Sequence, residues 1–515
     1  MTDQALSRPF WFPSEPNAKN YPQLNGDRHV DAAVVGAGIV GLTTAHLLAA
    51  AGLKVAVVEA RQVGRQATGR STAKVTSQHG MRYAKLIREI GETSARRYAG
   101  ANESAVDQIR TLVADNDIDC GMEDRSACVF GWDKNDRRNL VEEADAASRL
   151  GLPASFVEET GLPFPTAGAV IFAHQAQFDP FRYLLGLAEV VSHEAELFEH
   201  TRATEIDLTE PARVKTERGT IAAASVVLAT QLPTVAEGRF YIKAYPVAHP
   251  LVAARLPVEH RLDRMYISNS SPIRSLRTAR QSDETYLIAV GDGYRPGSTV
   301  DEIRAMQELH EFIRRHFAIE QTSHSWTNED FVPMDGLPFI GPICAGIGNI
   351  HVATGFGAWG ITQATVAAQL LADRILGRSN DLAGLFDPSD RSVIRSAPTF
   401  ISENLRTGVR LVSDKLFKAR IENLADIPDD EGGIIEFDGE LIAVLKQGSE
   451  VASAFSASCT HLGCVLGWNP VDRSWDCPCH GSRFDTEGQV IAGPAVSPLR
   501  PHRLRKAAQK LTQAS

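Results

Sequence analysis

DAAVVGAGIVGLTTAHLLAAAGLKVAVVEA, residues 31–60, contains two apolar runs around a G-x-G-x-x-G pattern. This order predicts a strand, a tight turn, a helix and a second strand. Gly36 permits the turn, Gly38 lets the backbone approach a pyrophosphate, and Gly41 lets the helix pack closely on the strand. Glu59 ends the second strand, where an acid can accept a ribose hydroxyl. The segment therefore predicts a Rossmann-like dinucleotide site, because a membrane span would leave the glycines unexplained.

The composition is that of an ordinary globular protein. The chain has 515 residues, 43% apolar and 23% charged, with a formal net charge of −10. This length corresponds to roughly two to four domains. The negative charge argues against nucleic acid or an anionic membrane as the main partner. The N-terminus, MTDQALSRPFWFPSEP, lacks a basic region followed by an apolar run. We therefore expect no secretory signal, no integral membrane segment and a cytoplasmic location.

The composition and the pattern of apolar residues change along the chain and predict four regions. Residues 1–30 are polar and Pro-rich and are interpreted as an arm. Residues 31–380 have a mixed α/β pattern. Residues 381–420 carry Ser, Pro and Asp clusters and are interpreted as a connector, with one helix predicted over residues 403–421. Residues 421–510 contain short alternating runs divided by Asp-Gly and Gln-Gly turns, which predicts a small all-β domain.

Two short motifs near the C-terminus predict an iron–sulfur centre. They read CTHLGC (459–464) and CPCHGS (477–482). A Rieske [2Fe–2S] centre holds one iron with two cysteines and the other with two histidines. The candidate ligands are Cys459, His461, Cys477 and His480. A structural zinc site is the alternative, but it usually pairs two cysteines about two to four residues apart with a pair of histidines. We therefore predict a Rieske-type cluster.

The two motifs resemble those of Rieske proteins of the cytochrome bc type, and Gly493–Pro494 resembles their proline loop. The resemblance implies a disulfide between Cys464 and Cys479, a bond that is unusual in the cytosol. It also implies that Ser482 donates a hydrogen bond to a cluster sulfur. Phe484 stands where high-potential members have a tyrosine. Losing a donor to the reduced cluster lowers its potential, so we expect Phe484→Tyr to raise it.

Four segments in the first 380 residues resemble the D-amino-acid oxidase-like FAD superfamily. They are residues 60–80, ASVVLAT (224–230), MDGLPFIGP (334–342) and NIHVATGFGAWGIT (349–362). One departure is Gln231, where the superfamily usually has Gly. The resemblance implies an FAD domain with a β-rich substrate domain, and a glycine-rich backbone facing the flavin. Besides the motif residues above, the implied FAD contacts are Arg61, Arg70, Ser71, Thr72, Ala229, Thr230, Gly355, Gly357, Trp359, Gly360 and Thr362.

The sequence offers weaker signals about the reaction. A second G-x-G-x-x-G, typical of an NAD(P)H site, is missing, and VGDGYRPG (290–297) is a poor substitute because no helix pattern follows it. The electron donor is therefore expected to be an organic substrate. Candidate substrate contacts are Lys74, His79, His249, Arg274 and Arg277, and an Arg there could clamp a carboxylate. For each of these side chains, a structural or solvated role is the alternative.

The combination of both sets of motifs resembles a bacterial family of FAD-dependent oxidoreductases with a C-terminal Rieske domain. The resemblance implies two cofactors, FAD and a [2Fe–2S] cluster. We expect a dehydrogenase that oxidises a small amine or amino acid and passes single electrons to an acceptor protein or quinone. The alternatives are a reductase that delivers electrons from NAD(P)H to a partner oxygenase or other protein, and a redox-sensing or scaffold protein.

Overall fold

The computed structural model describes residues 8–13, 19–389, 421 and 423–503. Most of the predicted connector and its helix lie outside the described residues. The helices are α1 (Ile39–Ala50), α2 (Tyr83–Asp115, kinked at Gly91), α3 (Arg137–Arg149), α4 (Pro180–Glu194), α5 (Phe240–Lys243), α6 (Thr299–His316), α7 (Gly360–Ile375) and α8 (Ala383–Phe386).

The strands, in chain order, are β1 (Arg28–Val35), β2 (Val55–Val58), β3 (Lys74–Val75), β4 (Glu123–Asp124), β5 (Ser126–Phe130), β6 (Ala154–Val157), β7 (Ala169–Phe172), β8 (Ala176–Gln177), β9 (Glu196–Phe198), β10 (Ala203–Asp207), β11 (Ala212–Thr216), β12 (Gly219–Leu228), β13 (Ala244–Leu256), β14 (Arg264–Ser268), β15 (Ser275–Gln281), β16 (Glu284–Val290), β17 (Gln321–Pro333), β18 (Phe339–Cys344), β19 (Ile347–Thr354), β20 (Gly432–Phe437), β21 (Glu440–Gln447), β22 (Glu450–Ser456), β23 (Gly467–Asn469), β24 (Ser474–Asp476), β25 (Arg483–Phe484) and β26 (Val490–Ala492).

The first sheet contains the predicted strand–helix–strand unit. Its main path runs β10-β11-β12-β1-β2-β9, and β19 joins it beside β12. The central strands β1, β2, β9, β12 and β19 pair with one another in parallel, whereas β12 is antiparallel to β11 and β19 is antiparallel to β18. The apolar run of β1 is buried from Ala32 to Val35, as expected for a parallel strand covered on both faces. The strand begins three residues before the predicted start, because Arg28–Val30 pair with Ile221–Ala223 of β12.

A second sheet forms the β-rich part of the α/β region. Its strand order is β17-β13-β16-β15-β14-β5-β7-β6, and α6 packs on β13. All its neighbouring strands are antiparallel except β5 and β14. Long strands such as β13 and β17 pair along most of their length, so they form a stiff wall beside the first sheet. The α/β class with a β-rich second domain is confirmed.

The C-terminal domain is all-β, as predicted. It consists of a three-stranded sheet, β20-β21-β22, and a four-stranded sheet, β23-β24-β25-β26. Its core contains Trp468, Trp475 and Phe484, all nearly inaccessible to solvent. These large aromatic side chains bury much of the apolar surface that a small domain needs for stability.

The described residues 8–13 of the predicted N-terminal arm pack on the rest of the protein. Phe10, Trp11 and Phe12 are buried in a cluster with Phe181 and Trp326. Three consecutive aromatic side chains remove enough apolar surface from water to hold a short segment in place. In the part of the chain that the structure describes, no helix has both the length and the apolar character needed to cross a bilayer.

Candidate functional site

A cavity of about 470 Å³ lies between the two large sheets, and the G-x-G-x-x-G turn forms one end of it. A Cβ on Gly36 would lie 2.6 Å from the Ala229 carbonyl oxygen, and Gly36 has a φ of +104°. A Cβ on Gly41 would lie 1.9 Å from the Gly36 oxygen. At Gly38 the nearest atom to such a Cβ is Thr68 Oγ1, at 3.7 Å. Two glycines thus allow close packing, while the third leaves open space for a ligand.

Glu59 lies at the same end of the cavity, as its position after β2 predicts. Its carboxylate accepts the backbone N–H groups of Ala37 and Arg61, each at 3.0 Å. Burial raises the pKa of Glu59, and these hydrogen bonds and the charge of Arg202 oppose the rise. The carboxylate is held in one orientation on the cavity wall, where it could accept a ribose hydroxyl. The turn, the open space and the acid fit the dinucleotide part of FAD.

Most of the predicted FAD contacts line this cavity. They are Gly36, Gly38, Glu59, Ser71, Thr72, Ala229, Thr230, Gly355, Gly357, Trp359, Gly360 and Thr362. Three others do not line it. Gly41 lies behind the turn, Arg61 contributes its backbone N–H to Glu59, and the guanidinium of Arg70 pairs with Asp472 of the C-terminal domain. Gln231, at the departure from the superfamily pattern, keeps a φ of +62° and lines the cavity.

Sequence reasoning missed several lining residues. Gln66, Thr68, Arg202 and Asp330 line the cavity, as do Ile491–Gly493. Gln66 and Thr68 lie within the segment 60–80, but neither is singled out there as an FAD contact. Arg202, Asp330 and Ile491–Gly493 come from distant segments, the last group from the other domain, and only tertiary packing brings them to the cavity.

The candidate substrate contacts divide into two groups. Lys74 and His249 line the cavity, whereas His79, Arg274 and Arg277 do not. Arg274 pairs with Asp292 at 3.0 Å. Arg277 Nη2 donates to the backbone carbonyl oxygen of Phe178 at 2.9 Å, and its guanidinium lies over the ring of Trp11. Neither arginine is therefore available to clamp a carboxylate in the cavity.

His79 is a buried structural residue. Its Nδ1 lies 2.7 Å from the Tyr98 hydroxyl, and its Nε2 lies 3.0 Å from Thr362 Oγ1 and 3.1 Å from the Thr76 oxygen. Burial lowers its pKa well below the ordinary value, and nearby Arg82 adds to the decrease. The neutral ring thus ties the segment after β3 to the first turn of α7.

Lys74 is a titratable group on the cavity wall whose pKa lies far from its ordinary value. Its Nζ donates to the backbone carbonyl oxygen of Tyr266 at 2.5 Å and to Ser275 Oγ at 2.6 Å. Burial lowers its pKa to about 7, and the charge of Arg277 contributes to the decrease. A neutral amine has two N–H groups, so these two hydrogen bonds leave its lone pair available. A lysine of this kind can accept a proton near neutral pH.

The four predicted iron ligands come together in the C-terminal domain. Cys459 and Cys477 are buried, and their thiols are within hydrogen-bonding reach of each other. The rings of His461 and His480 lie 5.1 Å apart. Both Nδ1 atoms are buried and lack a hydrogen-bond partner among the described residues. Two sulfur and two unpartnered nitrogen donors in one place fit a [2Fe–2S] cluster of the Rieske type. The disulfide between Cys464 and Cys479 joins the two ligand loops.

Strand β17 lies between the cavity and the loop of the C-terminal domain that carries His480 and Gly481. Side chains alternate between the two faces of a strand. Asn328 and Asp330 line the cavity. Their neighbours Thr327, Glu329 and Phe331 point to the other face, toward the C-terminal domain. The cavity and this loop of the C-terminal domain are therefore one strand apart.

The contacts across β17 bring the ligand loop of the C-terminal domain close to the strand. Thr327 Oγ1 donates to Asp472 Oδ2 at 2.6 Å. A Cβ on Gly481 would lie 1.8 Å from Glu329 Oε1, so this glycine allows a very close approach. Gly481 directly follows the predicted ligand His480, which is 4% exposed. The other predicted histidine ligand, His461, is more exposed and is followed by Leu462, which is 50% exposed.

Comparison with known proteins agrees with this geometry. The model of the FAD dependent oxidoreductase family matches residues 31–374, and that of the Rieske [2Fe-2S] domain matches residues 418–503. The putative Rieske 2Fe-2S iron-sulfur protein YhfW of Bacillus subtilis is 32% identical over 93% of this chain and 95% of its own length.

Solved structures share the fold of the first domain. Glycine oxidase from Geobacillus kaustophilus has a TM-score of 0.58 at 19% identity and covers 71% of this chain and 100% of its own. L-proline dehydrogenase from P. horikoshii has a TM-score of 0.58 at 19% identity, with 71% and 98% covered. The chain belongs to the FAD-dependent oxidoreductase family, and it carries a C-terminal Rieske domain that binds a [2Fe–2S] cluster.

Proposed function

We propose that the protein is a dehydrogenase that oxidises a small amine or amino acid and delivers single electrons to an external protein or quinone. When bound, FAD supplies hydride acceptance and the cluster supplies one-electron transfer. The observation that carries the proposal is strand β17, which has the FAD cavity on one face and the cluster-ligand loop on the other. Because only one strand lies between the FAD cavity and this loop, the arrangement suits electron transfer from FAD to the cluster within one molecule.

The wall around Lys74 supports a small substrate. Aliphatic side chains line the same cavity as Lys74, namely Leu251, Ile267, Ile273 and Val290. A largely apolar pocket with a few polar groups is typical of a small-molecule site. The two solved structures compared above are named for glycine and L-proline, which are small amino acids. Because the two candidate arginines are engaged elsewhere, recognition of a carboxylate would fall to other groups on the cavity wall, such as backbone N–H groups.

Lys74 is assigned the role of general base. Its two N–H groups are used by Tyr266 and Ser275, so its lone pair can accept a proton from a substrate ammonium group. Loss of that proton gives the neutral amine, whose α C–H bond can then be broken by hydride transfer. Ser275 acts as a positioning residue, because its hydroxyl accepts a hydrogen bond from Lys74 and fixes the orientation of the amine.

An anaerobic panel on the purified holoprotein tests the proposal. Amines, amino acids, hydroxy acids and NAD(P)H are added separately, and flavin absorbance and the EPR signal of the reduced cluster are followed together. We expect an amine or amino acid to bleach the flavin and then to produce the cluster signal. Bleaching by NAD(P)H alone would replace the proposal with a reductase that serves a partner protein.

The Cys459→Ser variant tests the electron route. Without this ligand the cluster cannot assemble, so the same substrate is expected to bleach the flavin but turnover with a one-electron acceptor should be lost. If oxygen sustained full turnover in this variant, the cluster would not be the route by which electrons leave the flavin.

A further inference from the structure

The Rieske domain forms part of the wall of the FAD cavity. Ile491, Ala492, Gly493 and Val496 all line it. They belong to β26 and to the loop that follows. A cavity for a cofactor of one domain is therefore completed by a segment of another domain.

Two hydrogen bonds fix this segment at the dinucleotide end of the cavity. Gln66 Nε2 donates to the Ile491 oxygen at 2.8 Å, and Arg202 Nη2 donates to the Val490 oxygen at 2.9 Å. Arg202 interacts electrostatically with Glu59, the predicted ribose partner. The segment therefore covers the end formed by the G-x-G-x-x-G turn and Glu59.

The domain is anchored by a second set of contacts outside the cavity. Asp472 forms ion pairs with Arg70 of the first domain and with Arg483, the latter at 2.7 Å. Arg483 also pairs with Asp476 at 3.1 Å. Asp472, Asp476 and Arg483 are almost fully buried and Arg70 is mostly buried, and two positive charges balance two negative ones. Removing one member would leave a buried charge without its partner, which is strongly unfavourable.

Close backbone packing adds to the anchor. A Cβ on Gly467 of β23 would lie 2.1 Å from the Gly297 oxygen of the first domain. This contact and the ion pairs do not involve cavity-lining residues. They can be altered without changing the atoms that surround FAD.

We propose that the Rieske domain is a component of the FAD-binding site, so that docking of this domain and binding of FAD stabilise each other. A ligand that binds the docked arrangement more tightly than the undocked one shifts the equilibrium toward docking. The effect is reciprocal, because coupling between two binding equilibria acts equally in both directions.

The wild-type protein provides the first test. Holoprotein and FAD-depleted protein that retains its cluster are heated, and the visible circular dichroism of the cluster is followed. We expect the cluster signal to be lost several degrees higher when FAD is bound, because FAD stabilises the docked Rieske domain. An identical temperature with and without FAD would overturn the proposal.

Anchor variants provide the second test. Asp472→Asn removes the shared charge, and Gly467→Ala inserts a methyl group into the backbone contact. For each variant with full iron content, the Kd for FAD is measured by quenching of FAD fluorescence. We expect a rise of about fivefold or more, the lower end of typical coupling between sites.

The matched control is Asp438→Asn, the same change at an exposed turn of the Rieske domain. We expect it to bind FAD like the wild type. A Kd that stays at the wild-type value in both anchor variants, or one that rises equally in the control, would contradict the coupling. Neither experiment requires a substrate, so failure of the proposed coupling can be distinguished from failure of the proposed dehydrogenase function.

Discussion

At the scale of single residues, Phe484 sets an expectation for the cluster potential. The ring is fully buried beside the ligand loops, and Ser482 is within hydrogen-bonding reach of Cys459. A tyrosine hydroxyl at position 484 would add a donor toward sulfur that becomes more negative on reduction. We expect Phe484→Tyr to raise the midpoint potential on the order of 50 mV, since about 59 mV corresponds to a tenfold change for one electron. Protein-film voltammetry measures the change.

Phe455→Tyr is the control for this substitution. Phe455 belongs to the same core but lies on β22, where its ring contacts the position of Gly488 rather than a ligand loop. Its potential should match that of the wild type. A potential that is unchanged or lower in Phe484→Tyr would show that the added hydroxyl does not reach the cluster.

Lys74 gives a prediction of pH dependence. Its pKa is lowered to about 7, so the amine is protonated below this pH and neutral above it. If it acts as the base, the rate of anaerobic flavin reduction by substrate rises as the pH increases through about 7. Lys74→Met should slow this step by about 10²-fold or more and abolish the rise. Stopped-flow absorbance measures both effects.

Ser275→Ala is the matching control, because it removes a hydrogen-bond acceptor and keeps the amine. We expect a smaller decrease in rate and a pH profile that still rises, with its midpoint shifted. A Lys74→Met rate that keeps the wild-type pH profile would assign the titration to another group.

At the scale of elements, the strand–turn–helix unit separates two roles of glycine. A Cβ on Gly41 would meet the Gly36 oxygen at 1.9 Å, so Gly41→Ala must push α1 away from β1. Overpacking of this kind costs about 1–3 kcal/mol, and the melting temperature of the FAD-free protein should fall. Differential scanning calorimetry measures this decrease.

Gly38→Ala should behave in the opposite way. Gly38 has a φ of −83°, which alanine readily adopts, and no protein atom lies closer than 3.7 Å to the added Cβ. The FAD-free protein should melt like the wild type. The methyl group would occupy space for the pyrophosphate, so the Kd for FAD should rise by about tenfold or more, a change of about 1.4 kcal/mol. Equal melting and equal affinity in both variants would contradict the two roles.

At the scale of the whole molecule, the buried ion pairs predict a docked arrangement that tolerates salt. Burial alone would raise the pKa of Asp472, but the charges of Arg70 and Arg483 outweigh it and lower the pKa to about 2. A depressed pKa stabilises the fold above the unfolded value of about 3.9, and this stabilisation is lost only as the pH falls through about 2. Asp472 is therefore charged throughout the neutral range.

Buried pairs are screened much less than exposed ones. We expect the radius of gyration from small-angle scattering to stay constant between about 0.1 M and about 1 M NaCl. Asp472→Asn should give a larger radius under both conditions. A radius that grows with salt in the wild type would show that exposed charges, rather than this buried network, hold the domains together.

The sequence by itself determined the two cofactors and the fold class. The turn at Gly36–Gly41 and the pairs Cys459/His461 and Cys477/His480 are local patterns, and their spacing follows from backbone geometry and from the number of ligands that the metal needs. Chemistry carried by residues close together in the chain is readable without the fold.

The tertiary structure alone decided how the two halves form one site. Arg70 lies in a segment predicted to contact FAD, yet its partner Asp472 is 402 residues away and turns the side chain toward the Rieske domain. Likewise, no pattern placed Arg274 and Arg277 outside the cavity or Ile491–Gly493 inside it. A buried charge takes whichever partner the packing provides, and that choice depends on contacts between distant segments, which have no fixed spacing in the sequence.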